Sequence, residues 1–129
     1  MSNTVKNYAL AIVGGNIQEI ATTLSQSIKI LPPGGNQPNE GVPKGSMMLS
    51  AVAAVVSGLR FVRSYEAGDN WHAILLEGTI DDTPVQFIDQ VHLDQNGLVE
   101  HVDIFLRPAP LAPVLLAKVT AEIEKRTAK

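Results

Sequence analysis

In the N-terminal part of this chain apolar residues recur every three or four positions, and from Leu59 onward they alternate with polar ones. Val5, Tyr8, Ala9 and Ile12 follow the i, i+3, i+4, i+7 spacing of one helix face, and Gly14-Gly15 ends that helix. Asn16 with Glu19 reads as a capping box for a second helix carrying Ile17, Ile20, Ala21 and Leu24. Residues 28–31 form a short strand candidate. Residues 32–45 are rich in Pro, Gly and Asn and predict an irregular loop, long enough to serve as a lid or rim. Ser46 is positioned to cap a third helix over 47–57, stopped by Gly58.

The period then changes to two. Strands are expected over 59–67, 71–80, 83–93 and 98–107, joined at Gly68-Asp69-Asn70, Asp81-Asp82 and Asp94-Gln95-Asn96-Gly97. Pro108, Pro110 and Pro113 end the sheet, and Leu115, Val119 and Ile123 mark a stripe on a polar C-terminal helix. Helices followed by a meander imply an α+β domain over residues 1–129, with helices packed on one face of a curved antiparallel β-sheet.

Register then singles out a carboxylate. Positions 85, 87, 89, 91 and 93 share one strand face and are Val, Phe, Asp, Val and Leu. Pairing across Asp81-Asp82 sets Ile80 opposite Thr83, Ile74 opposite Asp89 and His72 opposite Val91. Pairing Leu93 with Leu98 sets Val102 opposite Asp89, flanked by Glu100 and Ile104. One face thus gathers Phe87, Val91, Ile74, Leu76, Val102, Ile104 and Leu106 around Asp89 and His72. Met48 and Val52 of the third helix are core residues that can also wall a pocket. The other face carries Gln86, Gln90, His92, Val99, His101, Asp103, Phe105 and Arg107, a mixed surface of the kind found at wet dimer interfaces.

A charge on an apolar row is costly unless paired, protonated or used. Burial there raises a carboxyl's pKa and turns it into a donor or acid. The bland alternative is a structural pairing of Asp89 with Arg63, on the row of Leu59, Phe61 and Tyr65. His72 has a near-neutral intrinsic pKa and is a candidate general base, or else a hydrogen-bonded core or rim residue beside Trp71.

Composition narrows the chemistry. The chain has 129 residues, 45% hydrophobic and 18% charged, with formal net charge −3. No basic field is available for nucleic acid. Cysteine is absent, which removes disulfides and thiolate chemistry. His72, His92 and His101 lack a close ligand spacing, so no metal is expected and no cofactor is implied. The longest apolar run, 51–56, is too short to cross a bilayer, and the N-terminus has no leader pattern, so a cytoplasmic location is expected.

Together, Val5-Lys6-Asn7-Tyr8 with Gly15-Asn16-Ile17, Pro32-Pro33-Gly34, and Phe87-Ile88-Asp89 before Asn96-Gly97 resemble the nuclear transport factor 2-like superfamily. That superfamily includes ketosteroid isomerases, SnoaL-type polyketide cyclases and limonene epoxide hydrolases. The resemblance covers nearly the whole chain. It implies a cone-shaped sheet wrapped around N-terminal helices, an apolar pocket for a hydrophobic small molecule, and a homodimer through the outer sheet face. On the ketosteroid isomerase pattern, Tyr8 and Asp89 fall at the pair that holds an oxyanion. The base position of that pattern falls at Leu31 or Pro32, neither of which takes a proton. The expected function is therefore a small-ligand pocket protein, an isomerase, cyclase or dehydratase with the usual base missing. The alternatives are a non-catalytic binding module or an interaction domain.

Overall fold

The computed structural model describes residues 3–128. Helix α1 spans Asn3–Gly14 and buries Val5, Tyr8, Ala9 and Ile12, the face its spacing predicts. Gly15, at φ +75°, donates its N–H to the carbonyls of Ala11 and Ile12, each at 3.0 Å. That left-handed turn closes the helix end. Asn16 Oδ1 then accepts from the N–H groups of Gln18 (2.9 Å) and Glu19 (3.0 Å), opening helix α2, Ile17–Thr22.

Leu24 continues the helical spacing but does not belong to α2. The Thr23 hydroxyl donates to the Ile20 carbonyl at 2.7 Å and terminates the helix. Leu24 instead begins strand β1, Leu24–Leu31, which is twice as long as the sequence predicts. The segment 32–45 is also more ordered than expected. It holds a short strand β2, Asn39–Glu40, paired antiparallel with β1, and the start of helix α3, Val42–Val55. Proline is favoured in a helix's first turn, where its missing N–H has no partner to lose. Pro43 therefore opens α3, and Ser46 lies inside the helix with its hydroxyl donated back to Val42 O at 2.6 Å.

The remaining strands are β3 (Ser57–Gly68), β4 (Trp71–Ile80), β5 (Thr83–Leu93) and β6 (Val99–Arg107). A short 3-10 turn, Ala109–Leu111, leads to helix α4, Ala112–Thr127. The sheet is six-stranded in the order β2-β1-β6-β5-β4-β3. It is mixed and not wholly antiparallel, because β1 lies parallel to β6. Asp69-Asn70 and Asp81-Asp82 all have positive φ, from 48° to 66°, the geometry of two-residue hairpin turns that match strand twist.

The core lies between the concave sheet face and helices α1, α2 and α3. Gly78 allows the close approach that this packing needs: a Cβ there would meet Val56 Cγ1 at 2.5 Å. Helix α4 packs mainly on α3, burying Leu115 and Val119. Arg126 reaches back from α4 to Ser50 Oγ at 2.8 Å, and Ser50 donates to Gly15 O at 2.7 Å. One arginine and one buried serine thus join α4, α3 and the α1–α2 turn. Among the described residues, no helix is long and apolar enough to cross a membrane.

Candidate functional site

Tight turns decide which side chains meet. The β4–β5 pairing matches expectation: Ile80 opposite Thr83, Ile74 opposite Asp89, His72 opposite Val91. The β5–β6 pairing differs. Asp94 N donates to Leu98 O at 2.8 Å, and Asp94 Oδ1 accepts from Asn96 N (2.8 Å) and Leu98 N (3.0 Å). This loop closes on Asp94, so Leu93 pairs with Val99 and a bulge follows. Asp89 therefore faces Ile104, with Val102 opposite Val91. The slip is of two residues, so Val102, Ile104 and Leu106 keep the face of Asp89. Val99, expected on the outer face, is fully buried, and Glu100 turns outward to His92 Nδ1 at 2.6 Å.

A bulge at Val62 also reverses one expectation. It sets Arg63 opposite Leu75 on the outer face, exposed, and brings Ser64 opposite Ile74. The proposed Arg63–Asp89 pairing is thereby excluded. The inner row through Asp89 runs Ser64, Ile74, Asp89, Ile104, and the next row runs Glu66, His72, Val91, Val102. Bulges leave no periodic trace in sequence, which is why the place of Ser64 was not legible.

Asp89 is 3% exposed. Burial alone pushes its carboxyl from the ordinary 3.8 up to about 7. Tyr8 is fully buried on α1, and its hydroxyl has no hydrogen-bond partner. Burial, and then the charge of Asp89, hold the Tyr8 hydroxyl well above its ordinary pKa. Near neutrality the phenol is therefore protonated and the carboxyl is at its midpoint. His72 is 6% exposed, and its Nδ1 is likewise buried without a partner. Buried polar groups in folded proteins are nearly always satisfied, and the Tyr8 hydroxyl and His72 Nδ1 are exceptions in the core around Asp89.

The side chains around Asp89 are apolar. Phe87, Val91, Ile74, Leu76, Val102, Ile104 and Met48 are buried, and Leu106 and Val52 are partly buried against the same core. Leu31 and Pro32 stand where the resemblance would put a base, and both are half-buried. Among the described residues no group of His, Asp and Glu is arranged to hold a metal.

The outer face is layered. Arg60 donates to Glu77 Oε1 at 2.6 Å and Gln86 to Glu77 Oε2 at 2.8 Å. The next layer is Leu75, Ile88 and the exposed Phe105. Beyond it Gln90 bonds Asp103, which also meets His101 Nε2 at 2.9 Å, and the Trp71 ring packs against His92 with centroids 4.5 Å apart and planes tilted by 47°. Three concavities open at or near this face. One of about 550 Å³ is lined by Arg60, Glu77, Thr79, Pro84 and Arg107, one of about 370 Å³ by Tyr65, Asp69, Trp71, His72 and Gln90, and one of about 300 Å³ by Leu75, Ile88 and Phe105. None of these three is lined by Tyr8 or Asp89.

No protein-family model matches the sequence, and a search of curated protein sequences finds no match. Solved structures do match. An uncharacterized protein conserved in bacteria, with a cystatin-like fold, from Silicibacter pomeroyi superposes with TM-score 0.88 at 20% identity, over 94% of this chain and 85% of that one. A steroid delta-isomerase from Pseudomonas aeruginosa gives TM-score 0.88 at 17% identity, over 98% and 93%. An epoxide hydrolase/cyclase-like enzyme with a role in pyran ring formation in polyether salinomycin gives 0.67 at 18%, over 81% and 88%. The chain thus has the cystatin-like, nuclear transport factor 2-like fold. At these identities the likeness defines the architecture, and the chemistry rests on the residues.

Proposed function

We propose that this protein binds a small hydrophobic molecule bearing a carbonyl or similar oxygen, and that Tyr8 and the protonated Asp89 donate to that oxygen. One observation carries the reading: a carboxyl raised to about 7 by burial, beside a buried tyrosine hydroxyl with no partner. Two neutral donors in an apolar site stabilise negative charge developing on oxygen, the term that dominates enolate-type catalysis. In an isomerase, cyclase or dehydratase reaction His72 or a water would move the proton. The fold neighbours include a steroid delta-isomerase and an epoxide hydrolase/cyclase-like enzyme, which is compatible with that class.

The second reading is a non-catalytic binder of the same ligand class. It is favoured by Leu31 and Pro32, which leave no proton acceptor at the usual base position. The test is common to both. Neutral hydrophobic ketones and phenol are titrated against the protein from pH 5.5 to 8.5. Binding should be constant on the acid side and weaken above pH about 7, where Asp89 loses its proton. Turnover of any bound ketone selects the enzyme, and retention without change selects the binder. Absence of binding across the panel points instead to an interior filled by its own side chains and water.

We also propose that the outer face pairs two copies of the chain, because Phe105, 56% exposed, continues the row of Leu75 and Ile88, and Tyr65, 49% exposed, lies opposite Ala73 in the next row. Large apolar side chains exposed on one sheet face are typical of contact patches.

A further inference from the structure

The Asp89–Tyr8 pair accounts for one ligand oxygen and leaves His72 without one. His72 lies on the same inner face as Asp89, which is opposite Ile74, two residues along β4. Diagonal neighbours of this kind are roughly 7–8 Å apart, with their Cβ atoms somewhat closer, so both heads can reach one ligand. The row through His72 is otherwise Val91 and Val102 on one side, with Glu66 on the other and exposed. Its sealed Nδ1 has no protein partner. An aspartic acid and a tyrosine hydroxyl are donors here, whereas a neutral imidazole offers one donor and one acceptor nitrogen.

We propose that His72 is a specificity-determining residue that receives a second oxygen of the ligand. The preferred ligand is then a compact ring with two oxygens on separated carbons, such as a hydroxylated cyclic ketone or a dihydroxybenzene, rather than a hydrocarbon with a single carbonyl. This rests on the reading of Asp89 and Tyr8 above and extends it by one contact. A group left unpaired when the second oxygen is absent makes the discrimination large, since a buried polar atom loses its compensation.

Phenol, resorcinol, hydroquinone and catechol serve as probes, with affinities measured by NMR titration at pH 6 on the wild type, His72→Leu, His72→Gln and Asp89→Asn. At least one of resorcinol and hydroquinone should bind the wild type about tenfold more tightly than phenol. Catechol, whose oxygens are adjacent, should show less than a threefold gain. The ratio should collapse to below twofold in His72→Leu and be partly restored in His72→Gln, which keeps an acceptor. Asp89→Asn should weaken phenol and the dihydroxybenzenes alike and leave their ratio in place. Phenol binding with no gain from a second hydroxyl, or a gain that survives in both His72 variants, overturns this proposal and spares the Asp89–Tyr8 reading. Failure of the wild type to bind any of the four overturns both.

Discussion

Replacing Asp89 by Asn should remove a pH dependence of stability that is large on the scale of the whole domain. The carboxyl titrates near 3.8 when solvated and near 7 when folded, a difference of about three pH units caused by burial. Each unit is worth about 1.4 kcal/mol, so the native state loses about 4 kcal/mol from this group between pH 4 and pH 7. Below pH 4 both states carry the proton and the group is neutral to the balance. Between pH 4 and pH 7 the unfolded chain has released its proton and the folded one has not, so stability falls as pH rises. Above pH 7 both are ionised and the slope ends. Domains of this size are stable by about 5–15 kcal/mol, which makes a change of this size easy to see. Urea denaturation of wild type and Asp89→Asn at half-unit steps from pH 4 to 9 isolates the effect, because all other titrations cancel in the difference. The difference curve should change by about 4 kcal/mol, with the Asn variant gaining on the wild type as pH rises. Parallel curves, or a carboxyl carbon of Asp89 titrating with a midpoint near 4 by NMR, would refute the reasoning.

Other consequences are equally direct. Tyr8→Phe deletes a hydroxyl that has no partner, so stability by thermal melting should stay within about 1 kcal/mol of wild type while phenol affinity drops. Ser50→Ala removes the bond to Gly15 O and the acceptor for Arg126, and should cost about 1–2 kcal/mol in urea denaturation with faster amide exchange in α4. Gly78→Ala drives a methyl against Val56 and the Ser57 carbonyl, and should destabilise by about 1–3 kcal/mol in urea denaturation. On the proposed pairing of outer faces, the wild type should sediment as a dimer and Phe105→Lys as a monomer with an unchanged melting temperature of the isolated chain.

What could be read from the sequence, and what could not, follows the range of the signal. Strands β4 and β5 begin and end where alternation predicts, because two-residue turns leave no freedom of register. Asp89, His72 and Tyr8 were recoverable as inward polar groups for the same reason: strict periods of two and of about 3.6 place a side chain without knowledge of the fold. Errors fall where a local pattern competes with a tertiary one. Leu24 satisfies a helical spacing but belongs to the end of a strand that pairs there with the distant β6. Pro43 looked like loop chemistry and is the opening of a helix. The bulges at Val62 and beyond His92 change facing by one residue, and only the pairing partner determines them. The orphaned state of Tyr8 and His72 is a property of three-dimensional surroundings and has no sequence signature.

The parallel seam between β1 and β6 has a consequence for how the chain comes to be folded. Leu24 sits beside Val99, and Val99 N donates to Thr23 O at 2.9 Å, so an early segment completes its pairing only with the last strand made. During synthesis the β3–β5 meander can assemble while β1 waits with an unpaired edge, and closure comes late, across a long loop. Shortening the chain before residue 107 therefore does more than trim a tail: it leaves open the flank on which the sheet's first-made strand depends.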